Sequence, residues 1–134
     1  MVLGLAHVCF VVADLERSLA FYRDRLGFAV AFEFRRDNGA RYGVYLKAGR
    51  RNFIELFTGE AKPAADAKPS YRHICLEVDD VAKTVADLRG QGVTVTDPKL
   101  GLDQSWQAWL SDPDGNPIEL HGYTPRSWQA PHLD

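Results

Sequence analysis

The chain has 134 residues, 46% of them apolar and 25% charged, with a formal net charge of −2. That length can bury one core without staples, and the near-neutral balance supplies no attraction for nucleic acid or an anionic membrane. No apolar run approaches the roughly 20 residues of a membrane-spanning helix, and the N-terminus lacks the basic and long apolar regions of an export signal. A cytoplasmic protein is expected, with Cys9 and Cys75 as free thiols.

In chain order, residues 5–12 predict a strand that is apolar but for His7. Asp14 is a helix N-cap, and Leu15, Leu19, Tyr22 and Leu26 continue one apolar stripe at i, i+4, i+7 and i+11 as far as Gly27, a stop signal. Strands are expected near 28–36, 41–48 and 52–57, set apart by turns at Asp37-Asn38-Gly39 and Gly49. Residues 59–70, rich in Ala, Lys and Pro, compose a linker. A strand over 72–78 then leads to N-cap Asp80 and a helix carrying Val81, Val85 and Leu88, closed by Gly90 and Gly92. Strands near 93–97, 105–111 and 117–122 follow, the last two joined by the turn Asp112-Pro113-Asp114-Gly115. Each half reads β-α-β-β-β, module one over about residues 4–58 and module two over about 71–123, within one domain spanning 1–134. The tail, 124–134, has no periodicity and is expected to pack on the surface or across a partner.

The halves are one unit written twice. His7-Val-Cys-Phe-Val-Val-Ala-Asp14 recurs as His73-Ile-Cys-Leu-Glu-Val-Asp-Asp80, an offset of 66 (73 − 7). Asn52-Phe-Ile-Glu-Leu56 recurs as Asn116-Pro-Ile-Glu-Leu120, an offset of 64 (116 − 52). Because side chains alternate along a strand, His7 and Cys9 share a face opposite Val8 and Phe10, and His73, Cys75 and Glu77 share a face opposite Ile74 and Leu76. Glu55 falls with Phe53 and Phe57, and Glu119 with His121, again away from the apolar side. Carboxylates within such apolar strands are costly unless paired or bound to a cation. Two histidines and two glutamates at matching places are the raw material of a metal site.

The motifs His-x-x-x-x-Val-x-Asp-Leu from His7, Ser-x-x-Phe-Tyr-x-x-x-Leu-Gly from Ser18, the second His73, and Asp-Pro-Asp-Gly-Asn-x-Ile-Glu from Asp112 resemble the vicinal oxygen chelate superfamily. That group includes glyoxalase I, methylmalonyl-CoA epimerase, fosfomycin-resistance transferases, extradiol dioxygenases and bleomycin-binding proteins. The resemblance runs from about residue 4 to 123. It implies an α+β fold: two tandem βαβββ modules forming a cupped mixed sheet around one divalent metal, with helices on the convex face. The four-ligand pattern of glyoxalase I corresponds to His7, Glu55, His73 and Glu119. The resemblance also implies a homodimer whose sites lie at the interface, each taking one His and one Glu from each subunit. Two places depart from glyoxalase I: Val11 stands where an arginine, and Gly59 where an asparagine, help to hold glutathione. Both losses argue against a glutathione substrate.

Two imidazoles and two carboxylates suit one divalent ion, Ni, Co, Zn, Mn, Fe or Mg. Such an ion is a Lewis acid for a small substrate with adjacent oxygens, stabilising an enediolate while a carboxylate moves the proton. The base is sought first in Glu119, then in Glu55, and the expected reaction is that of a lyase or isomerase. Tyr45 and Trp109 each lie ten residues before a glutamate and, with Gln107, Ser105 and Arg41, are expected to line the substrate side; Glu77 joins them as a polar candidate. His121 is expected at the surface, and the tryptophans suit a core or a subunit interface equally well as a pocket. Two competing classes remain open: an Fe(II) dioxygenase with a 2-His-1-carboxylate triad, and a metal-free small-molecule-binding or resistance protein.

Overall fold

Asp14 and Asp80, at equivalent places in the repeat, start the two helices. In the computed structural model, which describes residues 5–59 and 73–133, each is extended and its carboxylate accepts a backbone N–H one turn on, from Arg17 at 3.0 Å and from Lys83 at 2.8 Å. These bonds satisfy donors that a helix start leaves unpaired. The chain divides into two compact units, Met1–Ala67 and Lys68–Asp134. Apart from Gly59, the expected linker lies outside the described residues.

The first unit holds β1 (His7–Val12), α1 (Leu15–Leu19), β2 (Ala29–Arg35), β3 (Arg41–Lys47) and β4 (Phe53–Thr58). Its sheet order is β1-β4-β3-β2, with β1 parallel to β4 and the other pairs antiparallel. The second holds β5 (Ile74–Glu77), α2 (Val81–Gly90), β6 (Lys99–Leu100), β7 (Trp106–Ser111) and β8 (Pro117–Gly122), in the equivalent order β5-β8-β7-β6. Each sheet is a mixed four-stranded one, as the βαβββ reading requires. Each helix covers the apolar face of its own sheet: α1 lies on β4, and α2 on β7 and β8. Val12, Leu15, Leu19, Val44, Leu46, Ile54 and Leu56 form the first core, and Val81, Val85, Leu88, Ala108, Leu110, Ile118 and Leu120 the second. Among the described residues no helix is long and apolar enough to cross a membrane.

Two elements differ from the sequence expectation. The helix after Asp14 continues as a π-helix over Ala20–Arg25, with Leu26 N–H donating to the Phe21 carbonyl five residues back at 3.1 Å. The wider turn brings Phe21 and Tyr22 inward together, leaving Leu26 only half-buried at the end of the stripe. The stretch expected as a strand over 93–97 forms no ladder, although Thr96 N–H donates to the Trp109 carbonyl at 2.9 Å; the ladder begins at Lys99 and lasts two residues. The tail is stitched to its own unit through the 103–105 loop: Trp128 N–H donates to the Asp103 carbonyl at 2.9 Å and Thr124 Oγ1 to the Gln104 carbonyl at 2.8 Å.

Candidate functional site

In the first unit the parallel register sets Cys9 opposite Glu55 on one side, and the antiparallel register sets Tyr45 opposite it on the other. His7, two residues before Cys9, therefore lies diagonally from Glu55 on the helix-free face. Its Nε2 is 3.5 Å from Glu55 Oε2, and its Nδ1 is 3.2 Å from the Tyr45 hydroxyl. Aromatic rings surround the pair. Phe32 stacks on Tyr45 at 4.5 Å between centroids, Phe53 lies 5.7 Å from Tyr45, and Phe34, Tyr42 and Phe57 extend the cluster. Gly43 makes room for it, since a Cβ there would overlap the Phe57 ring.

The second unit repeats the arrangement with additions. His73, just ahead of β5, places Nε2 3.1 Å from Glu119 Oε2. Cys75 and Trp109 stand opposite Glu119 on the flanking strands, and the Trp109 ring meets His73 edge-on at 4.8 Å. Glu119 Oε1 faces the Nδ1 of His121 at 3.2 Å. The His121 ring is buried, and among the described residues its Nε2 has no hydrogen-bond partner; Asp103 Oδ2 is 3.8 Å away. Cys75, Glu119 and His121 bring one ligand-type atom each within 4.8 Å of one another. Desolvation, with the charge of Glu119 behind it, pushes the Cys75 thiol up to about 12, and desolvation with Glu55 raises Cys9 less. The Gln129 amide bonded to Asp103 holds that carboxyl below the usual carboxylate range.

A histidine facing a glutamate, at the same two places of a duplicated β-unit, can be compared with known proteins. The family model of the Glyoxalase/Bleomycin resistance protein/Dioxygenase superfamily matches residues 4–120. The chain belongs to this superfamily. The lactoylglutathione lyase of Salmonella typhimurium is 32% identical over 125 residues, covering 87% of this chain and 90% of that protein. The solved glyoxalase family protein from Enterococcus faecalis superposes with a TM-score of 0.74 at 27% identity, over 89% of this chain and 97% of that one. TnmS3, an antibiotic binding protein from Streptomyces sp. CB03234, gives a TM-score of 0.74 at 28% identity, over 92% and 98% of the two chains.

For a superfamily member the donor set is chemically apt. In each unit one imidazole nitrogen and one carboxylate oxygen face each other on a surface otherwise made largely of rings and a thiol. Both are donors to borderline divalent ions, so the residues fit such an ion. Tyr45, Trp109, Gln107 and Glu77 lie on the helix-free faces as expected, Gln107 and Glu77 both opposite His121. Arg41 does not. A β-bulge in β3, where Phe34 pairs with Gly43 but Arg35 with Arg41, turns Arg41 to the helix side, where it bonds Glu33 at 2.5 Å and Glu16 of α1. The same bulge delivers Tyr42 to the ring cluster. Ser105 is buried in the tail contact with Ser127, and His121, expected at the surface, is buried beside Glu119. Phe32 and Phe34 were missed although their alternation in β2 was readable; Asp103, in a loop, left no such signal. A cavity of about 460 Å³ in the second unit, lined by Asp79, Val81, Pro98, Trp106 and Tyr123, involves none of these residues.

Proposed function

We propose that this chain is a divalent-metal-dependent lyase or isomerase, with His7, Glu55, His73 and Glu119 as ligands of one ion and a small oxygen-rich substrate. The observation that carries the reading is the twofold occurrence of an imidazole Nε2 facing a carboxylate oxygen, at 3.5 Å and 3.1 Å, on equivalent strands. Likeness to a lactoylglutathione lyase supports the reaction class. Val11 and Gly59 favour a substrate other than a glutathione adduct. A homodimer, with each ion drawing one pair from each subunit, belongs to the same proposal.

When bound, the ion supplies Lewis-acid stabilisation of the charge developing on adjacent substrate oxygens. The chain's own groups do the rest. Tyr45 holds the His7 ring through Nδ1, and the Trp109 edge fixes His73. Glu119 or Glu55 takes the proton from the carbon beside the carbonyl and returns it to the neighbouring carbon or the opposite face. Phe32, Phe34 and Phe57 exclude water from one side of the substrate. Four candidate ligands favour this over an Fe(II) dioxygenase, which needs three and open positions for oxygen. The test is metal analysis of the purified chain, calorimetric titration with Ni²⁺ and Zn²⁺, and ¹H NMR of 2-hydroxyketones in D₂O. One ion per chain, weakened by H7A, E55Q, H73A and E119Q, and enzyme-dependent deuterium uptake are expected. Absence of any divalent binding overturns the reading.

The ring cluster of the first unit supports a second reading, a metal-free binding protein for a flat apolar molecule, in keeping with the likeness to TnmS3. A ligand that binds equally with and without chelator, and loses affinity in Y45A and F34A, would favour it.

A further inference from the structure

The two half-sites differ behind their glutamates. Glu119 has both oxygens engaged: Oε2 faces His73 at 3.1 Å and Oε1 faces His121 Nδ1 at 3.2 Å. Two residues after Glu55 the first unit carries Phe57, so no histidine stands behind the first glutamate, whose side-chain neighbours besides His7 are Cys9 and Tyr45. His121 is 8% exposed, with Asp103 Oδ2 3.8 Å from its Nε2. Asp103 is itself tied down. Gln129 Nε2 donates to its Oδ2 at 2.7 Å, Ser105 N–H to its Oδ1 at 3.2 Å, and the tail is braced by the Ser105–Ser127 hydroxyl bond at 2.8 Å. The ring thus lies between two carboxylates, within hydrogen-bond distance of Glu119 only, and the outer carboxylate is fixed by the tail.

We propose that His121 is a positioning residue that donates Nδ1–H to Glu119 Oε1 from a buried ring, so that Oε2 stays turned toward His73. This rests on the metal reading above. A carboxylate with one oxygen on an ion and the other in a fixed hydrogen bond has lost the rotation that would let it leave. It makes Glu119 the carboxylate anchored by a second histidine.

The test uses the full chain, stripped of metal and titrated with Ni²⁺ by calorimetry, with the visible spectrum of the Co²⁺ form as a second readout. H121F, which installs the residue of the first unit, is expected to weaken Ni²⁺ by about 10–100-fold and to change the Co²⁺ spectrum. H121N, whose amide N–H₂ takes the place of Nδ1, is expected to stay within about fivefold of the parent. If H121F does not fold, H121Q, with its donor at the wrong position, is read against H121N. Equal affinity in the parent and H121F or H121Q overturns this proposal alone, provided that H73A and E119Q still weaken binding. Equal losses in H121N and H121F also overturn it, because steric repacking would then explain both. A parent chain that binds no Ni²⁺ overturns the metal reading and this inference with it.

Discussion

Replacing Asp112 by alanine should loosen the hairpin that carries Glu119. Asp112 is 4% exposed, and its carboxylate accepts from Asp114 N–H at 2.9 Å and Asn116 N–H at 2.8 Å on Oδ1, and from Asn116 Nδ2 at 2.8 Å on Oδ2. Gly115, at φ +83°, completes the turn by donating to the Asp112 carbonyl at 2.9 Å. This turn sets the β7–β8 register, Ser111 opposite Pro117, and hence Trp109 opposite Glu119. A hydrogen bond to a charged group is worth about 1.5–3 kcal/mol net, but the freed donors sit on half-exposed residues and regain water, so the total loss is about 3 kcal/mol rather than the sum. For a 134-residue chain that is a fall in Tm of about 10 °C. D112N keeps the Oδ1 bonds and should lose only about a third as much. Thermal unfolding followed by far-UV circular dichroism measures both. A D112A melt within about 3 °C of the parent, or an asparagine variant as weak as the alanine one, refutes the clamp.

R41A should leave Ni²⁺ affinity unchanged and lower Tm slightly, since Arg41 links β3 to Glu33 and α1 at a partly exposed site; an altered affinity would return it to the metal centre. In G43A the new methyl must displace the Phe57 ring, and a loss of about 1–3 kcal/mol in urea unfolding is expected; an unchanged midpoint would show that the cluster yields freely. The Cys75 thiol, raised from 9.0 to about 12, is protonated when folded at pH 8, with about a thousandth of the thiolate it has unfolded. Iodoacetamide should therefore alkylate Cys75 of the metal-free chain far more slowly when folded than in urea, with the gap closing as pH rises towards 12. Equal rates at pH 8 count against the packing described around it.

Much of this was written locally. Duplication is visible by reading, and the period of two that sorts His7 and Glu55 from Phe10 and Leu56 is a property of any extended chain, so the helix-free face could be assigned residue by residue. Asp14 and Asp80 announced their helices, and Asp112–Gly115 its hairpin, because caps and turns act over three or four residues. The ladder registers then put Tyr45 and Trp109 beside the glutamates, as their spacing from Glu55 and Glu119 suggested.

Arg41, His121 and Asp103 were decided elsewhere. A single extra residue in β3 reverses which way Arg41 points, and a bulge depends on how two strands bond, not on the strand alone. His121 is polar and one residue from the end of its strand, yet it is buried beside Glu119 with Asp103 of an earlier loop on its other side. The sequence by itself determined the repeated β-α-β-β-β plan and the faces of its strands, since both follow from short-range stereochemistry. Only the tertiary structure decided which charged groups meet and which are buried, since those depend on segments brought together after the elements have formed.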